Sequence, residues 1–215
     1  MDLTGFLEVL WFTLQVYRTL VIELLLLLGV SLSFLWARGE EVDRFAFTYL
    51  NSHLPYHPRL DRAMHLVGQL GTLWMGVLWM GALFLLGYRT VALIGVGGMV
   101  LLWGVVRTIK TITRRERPYV ALDDTRLIGY PPTGLSFPSG HAAQSFFTAY
   151  YLAHELGLEW GRWLLFALAG LICYSRIYVG AHYPRDVVAG VLLGLAYGYL
   201  LVRIVPEFPF ALWFS

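Results

Sequence analysis

Two apolar runs, LFALAGLIC and VVAGVLLGLAYGYLL, flank the segment SRIYVGAHYPRD at residues 175–186. This stretch restricts most what the chain can fold into. A charged side chain at the centre of a bilayer costs roughly 2.5–3.5 kcal/mol on insertion scales, so ionisable groups beside membrane-length runs mark functional positions. Arg176, His182 and Asp186 sit where one run hands over to the next. Composition agrees with a membrane setting: 58% of the 215 residues are hydrophobic and 14% are Asp, Glu, Lys or Arg. A water-soluble domain carries about 25% charged residues. The net charge of +2 lacks the basic excess of a nucleic-acid binder, so no nucleic-acid partner is expected. The single cysteine, Cys173, lies in an apolar run and reads as a small buried hydrophobe. MDLTGFLEVL carries acids where a cleavable signal peptide has a basic n-region, so none is expected.

Stretches long enough for a bilayer, which needs about 20 residues, occur at 17–36, 65–86, 90–109, 139–156, 162–179 and 186–205. The expected fold is all-α: a polytopic membrane bundle with six transmembrane helices, forming one domain. Ahead of it, Leu3, Phe6, Leu7, Leu10 and Leu14 at helical spacing predict a short N-terminal interfacial helix. Residues 39–62 predict an amphipathic piece at the membrane surface, interrupted at Pro55 and Pro58. Those prolines keep His53, His57 and His65 from sharing one helical face as metal ligands. Gly190, Gly194 and Gly198 recur every fourth residue, a stripe for close helix packing. With six spans, parity puts the 110–137 loop, the start of the fourth span and the link between the last two on one membrane face.

Three polar clusters therefore meet. The first is Lys110 and Arg117, followed by Pro118. The second is Pro138-Ser139-Gly140-His141, opening an apolar helix. There serine is a good N-cap, the free N–H groups and helix dipole favour an anion, and glycine allows its close approach. The third is Arg176, His182 and Asp186, with Pro184 suited to the first helical position. A carboxylate beside an imidazole fixes its tautomer and leaves the other nitrogen free to attack or accept a proton. Each cluster alone has a plainer reading: a juxtamembrane basic run, a capped helix, a salt-bridged helix end. Jointly they offer three cations, a helix-terminus cradle and two histidines, a set that fits a tetrahedral oxyanion such as phosphate. His141, His182 and Asp186 also have the donor types of a two-histidine, one-carboxylate iron site. Lys110, Arg117 and Arg176 would repel a divalent cation there, so a metal-free site is expected.

These clusters resemble the signature of the type 2 phosphatidic acid phosphatase (PAP2) superfamily, K-x6-RP, PSGH and SR-x5-H-x3-D. Every signature position is matched, from Lys110 to Asp186. The resemblance implies an integral-membrane lipid phosphate phosphatase that needs no cofactor. His182 would be the nucleophile, forming a phosphohistidine, with Asp186 orienting it and His141 protonating the leaving oxygen. Lys110, Arg117, Ser139, Gly140 and Arg176 would bind the phosphoryl oxygens. Candidate substrates are undecaprenyl pyrophosphate, phosphatidylglycerophosphate, phosphatidic acid and lipid A phosphate, with the lipid tail in the bilayer. A lipid phosphotransferase using the same site, or a non-enzymatic head-group binding or transport protein, are the alternatives. The resemblance also implies a bacterial inner or plasma membrane, with the site facing the periplasm or exterior. Basic-residue counts point the other way, since only Arg18, Arg89, Arg162 and Arg203 fall on the opposite face. Cations selected for phosphate are not topological signals, so the exterior is expected.

Overall fold

The computed structural model describes residues 3–32, 37–53 and 57–204. Among these the regular structure is helical throughout: α1 (Leu3–Leu32), α2 (Ala37–Ser52), α3 (Pro58–Gln69), α4 (Leu73–Leu85), α5 (Arg89–Thr113), α6 (Pro118–Ala121), α7 (Gly140–Glu155), α8 (Gly161–Tyr178) and α9 (Pro184–Ile204).

The expected interfacial helix and first span are one uninterrupted helix, α1. No proline or glycine lies between Phe6 and Leu28 to divide them. The end of that predicted span, residues 33–36, and Pro55 lie outside the described residues. The stretch expected to be one span at 65–86 is instead split into α3 and α4, bent by 63°. Thr72 caps the second piece, its hydroxyl accepting the Met75 N–H at 3.3 Å. Gly71 supplies the close approach: a Cβ there would lie 2.6 Å from Ile172 on α8 and 3.2 Å from the His141 carbonyl. His57, weighed as a metal ligand, is the N-cap of α3, and its Nδ1 accepts the Leu60 N–H at 3.3 Å. The link from α4 to α5 turns on Gly87 at φ +97°, with the Tyr88 N–H returning to the Leu83 carbonyl at 3.0 Å.

Helix α7 packs most extensively on α9, and the glycine stripe is the reason. A Cβ on Gly194 would lie 2.3 Å from the Ala143 carbonyl, and one on Gly190 2.5 Å from that of Ser139. Met80, Met99, Leu102, Phe147, Tyr151 and Leu193 fill the core between α4, α5, α7 and α9. The outer surface is apolar too, with Trp74, Leu85, Leu101 and Leu164 exposed, as suits contact with lipid. Arg89–Ala121 and Pro184–Arg203 are long and apolar enough to cross a membrane, and the bent α3–α4 pair would make a third span. Among the described residues that is fewer than six. Helix α7 has only 16 residues, and α8 carries Arg162 and Arg176 at its two ends.

Candidate active site

The α7–α9 contact sets the site. Ser139 is the N-cap of α7, accepting the Ala142 N–H at 3.4 Å, and its own N–H donates to the Asp186 carbonyl at 2.8 Å. Pro184 opens α9 as its sequence suggested, and Asp186 lies in the first turn. There its carboxylate accepts the Tyr183 N–H at 3.0 Å, half of a capping box.

Asp186 is fully buried, and every partner of its carboxylate is a donor. Oδ1 accepts from Arg115 Nη1 at 2.6 Å; Oδ2 accepts from Ser136 Oγ at 2.5 Å and from Tyr183. His182, also buried, sits beside it, with Nδ1 3.6 Å from Asp186 Oδ2 and 3.4 Å from Ser136 Oγ. Its other nitrogen, Nε2, is 3.2 Å from Arg117 Nη1. Arginine has donors only, so Nε2 holds the lone pair and the proton is on Nδ1. The Ser136 hydroxyl spends its proton on Asp186 and accepts from Nδ1–H. Imidazole and carboxylate are thus joined through Ser136 as well as across the 3.6 Å gap. Burial first, then the charges of Arg117, Lys110 and Arg176, hold the His182 imidazole well below the usual histidine range.

Backbone carbonyls hold two of the cations. Lys110 Nζ donates to Leu135 O at 2.6 Å and Ser136 O at 3.0 Å. Arg117 donates to Gly134, Thr133 and Ala181 carbonyls at 2.8–3.0 Å. Arg176 is 5% exposed, and its buried Nε has no hydrogen-bond partner. Its guanidinium lies on Gly68 of α3, where a Cβ would be 2.4 Å from Nη1.

Lys110, Arg117, Gly140, His141 and His182 line one cleft of about 610 Å³, with Trp74, Trp103 and Val106 also in its wall. Ser139 and Asp186 are fully buried, and with Arg176 they lie outside that lining. A Cβ on Gly140 would meet only Val106 at 3.6 Å, an ordinary contact. Packing therefore does not demand glycine there; the missing side chain leaves backbone open to the cleft. An apolar groove of about 420 Å³ runs alongside, lined by Trp79, Leu83, Leu165 and Ile172 and sharing Gly71, Thr72 and Gln144 with the cleft. Among the described residues, no three His, Cys, Asp or Glu are grouped to hold a metal ion.

Sequence reasoning missed Arg115 and Ser136, and with them Glu40 and Asp43 of α2, which take the other branch of Arg115 at 2.6–3.2 Å. Arg115 was hidden in the basic run TRRER, and Ser136 stands only two residues before Pro138. The usable signal was an acidic pair on an amphipathic helix of a chain with few charges.

A family model of the PAP2 superfamily matches residues 91–209, more than half of the chain. The chain belongs to the PAP2 superfamily. This PAP2 protein is 39% identical over 101 residues to an undecaprenyl-diphosphatase of Sulfolobus acidocaldarius, covering 46% of this chain and 48% of that one. The match thus spans about half the length of that relative. A lipid A 4'-phosphatase of Porphyromonas gingivalis is 27% identical over 176 residues, covering 76% of this chain and 73% of its own. The crystal structure of Aquifex aeolicus LpxE superposes with a TM-score of 0.66 at 31% identity, covering 73% of this chain and 92% of that chain. A transmembrane PAP2-type phosphatidylglycerolphosphate phosphatase from Bacillus subtilis shares the fold, with a TM-score of 0.61 at 23% identity over 87% of this chain and 96% of that one. Both curated relatives are phosphatases by name.

Proposed function

We propose that this PAP2 protein is a membrane phosphatase that hydrolyses a lipid phosphate or diphosphate through a phosphohistidine on His182. The observation that carries this is the imidazole itself. Its Nε2 lone pair faces the Arg117 guanidinium in a cationic cleft, while Nδ1 is tied to Asp186. In the first step Nε2 attacks phosphorus as the bond to the leaving oxygen breaks, and His141 gives that oxygen its proton. In the second, His141 takes a proton from water; the water oxygen attacks phosphorus, the P–N bond breaks and phosphate departs. Lys110, Arg117 and the Gly140 backbone, with Ser139 and Arg176 behind them, neutralise charge on the equatorial oxygens.

Candidate substrates remain the diphosphate of undecaprenol, lipid A phosphate, phosphatidylglycerophosphate and phosphatidic acid. The first two also appear in the names of relatives. The tail would stay in the bilayer beside the apolar groove. Six crossings would be supplied by α1, the bent α3–α4 pair, α5, α7, α8 and α9, within one PAP2 domain. The protein would sit in a bacterial plasma membrane with its site facing the periplasm or exterior.

The test is phosphate release from these four lipids by purified protein in detergent with EDTA, beside His182→Ala. Release that survives EDTA and is lost in the variant supports the reading. Transfer of phosphate to an added lipid would make the protein a phosphotransferase. Binding without turnover, kept in the variant, would make it a head-group carrier.

A further inference from the structure

We propose that Arg115 is a positioning residue: it fixes Asp186 and Ser136, and through them the His182 imidazole, by bracing them on the acidic face of α2. This rests on the phosphohistidine reading.

Arg115 touches the Asp186–Ser136 pair at two points. Its Nη1 donates to Asp186 Oδ1 at 2.6 Å, and its carbonyl accepts the Ser136 N–H at 2.8 Å. Ser136 closes the ring by donating to Asp186 Oδ2 at 2.5 Å. Both carboxylate oxygens are thus set from one residue, and so is the hydroxyl that receives His182 Nδ1–H. The guanidinium is itself fixed. Nη2 donates to Asp43 Oδ2 at 2.6 Å and to Glu40 at 3.0 and 3.2 Å, and Cζ lies 4.0 Å above the Tyr183 ring centroid. Arg185, next to Asp186, binds the same two acids, its N–H on Asp43 Oδ1 at 2.9 Å and Nη2 on Glu40 at 3.1 Å. The Arg185–Asp186 end of the turn is therefore anchored to α2 twice, directly through Arg185 and by way of Arg115.

Charge explains why an arginine is needed. Asp186, Asp43 and Glu40 converge on one guanidinium, whose planar fork serves carboxylates on both branches; a lysine is a point charge. Without it, Arg185 still serves Asp43 and Glu40, and Arg44 serves Glu40. Asp186, however, loses its paired guanidinium, and repulsion from the two acids drives it away from α2 and from Ser136. Arg115 is absent from the lining of the phosphate cleft, so its loss leaves Lys110, Arg117 and Gly140 in place. The effect should fall on the chemical step and spare binding.

The experiment compares Arg115→Gln, Arg115→Lys and Asp43→Asn with wild type, using the lipid phosphate released fastest and orthovanadate as a phosphate analogue. In Arg115→Gln, kcat should fall about 100-fold, the loss expected when a reacting group is displaced by ~1 Å. KM and orthovanadate inhibition should stay within about threefold, because cradle binding is untouched. Arg115→Lys should recover part of kcat, and Asp43→Asn should show a smaller loss of the same kind; these two carry the test if Arg115→Gln does not fold. Wild-type kcat in Arg115→Gln, or a loss shared equally by KM and orthovanadate, overturns the proposal. If wild type itself releases no phosphate, the phosphatase reading fails, and ring ¹⁵N spectra of histidine-labelled protein decide the positioning instead. His182 should then show one tautomer in wild type and two in Arg115→Lys; identical spectra overturn it.

Discussion

Arg117 Nη1 lies 3.2 Å from His182 Nε2, so the nitrogen proposed to attack phosphorus rests against the cation proposed to receive a phosphoryl oxygen. On the proposed mechanism an incoming phosphoryl group would insert between them, the lone pair meeting phosphorus and the N–H turning to oxygen. The guanidinium is held in place by the Gly134, Thr133 and Ala181 carbonyls, so its position against the imidazole is set by the fold.

Arg117→Lys should lower kcat/KM by about 10²–10³, the range for losing one preorganised donor to a developing oxyanion. Lysine keeps the charge but cannot span the three carbonyls and the phosphoryl oxygen together. Steady-state phosphate release measures this; a value within threefold of wild type would remove Arg117 from the oxyanion cradle.

His182 makes opposite contributions to activity and stability as pH falls. Its pKa lies well below the ordinary value because of burial and the charges of Arg117, Lys110 and Arg176. The imidazole therefore stays neutral and nucleophilic in acid, and the acid limb it gives kcat/KM should fall below about pH 6.5, the unperturbed value. The unfolded chain takes up a proton near that value and the folded chain does not. This contribution to stability is therefore present above about pH 6.5 and lost as pH drops through it. Melting curves in detergent from pH 8 to 5 should show a shallower loss in His182→Gln than in wild type; parallel curves would contradict the assignment.

Two glycine-to-alanine changes should separate packing from chemistry. Gly194→Ala brings a Cβ within 2.3 Å of the Ala143 backbone carbonyl. It should lower Tm by several degrees, from an overpacking cost of about 1–3 kcal/mol. Gly68→Ala meets side-chain ends instead, Arg176 Nη1 at 2.4 Å and Ser175 Oγ at 3.1 Å. It should lower Tm less than Gly194→Ala, because a side-chain end can shift where a backbone carbonyl cannot, and weaken inhibition by orthovanadate. Equal Tm losses in both variants would deny Gly68 a specific part in seating Arg176.

Orientation can be read with one introduced thiol. Tyr88, half exposed in the α4–α5 link, lies at the end of α5 opposite Lys110, and the native Cys173 is buried. In intact cells Tyr88→Cys should resist an impermeant maleimide and react once the membrane is permeabilised. Labelling of intact cells would reverse the proposed orientation.

Much of the site was legible because its signals are local. Ser139 before an apolar helix, Pro184 at the start of another and Asp186 four residues after His182 each encode their conformation within one helical turn. What escaped was decided by distant partners. The bend between α3 and α4 lies inside a stretch whose hydropathy is continuous; Gly71-Thr72 marked it, but its need comes from Ile172 and His141 across the bundle. Arg115 reads as one of several juxtamembrane cations until α2 folds against it. The 3.6 Å gap between His182 and Asp186, with Ser136 bridging it, follows from a residue 46 positions away from the histidine.

The glycine contact between α7 and α9 acts as a fixed gauge for catalysis. Gly190 and Gly194 press backbone on backbone, and the Ser139 N–H is bonded to the Asp186 carbonyl. The supports of His141 and His182 therefore cannot slide past one another without breaking main-chain contacts. The carbonyls of residues 133–136 that hold Lys110 and Arg117 are tied into the same frame, Ser136 through Asp186 and Arg117 through the Ala181 carbonyl. Two histidines and two cations are thus held in one continuous hydrogen-bonded unit, whose spacing is set where two glycines let two helices touch.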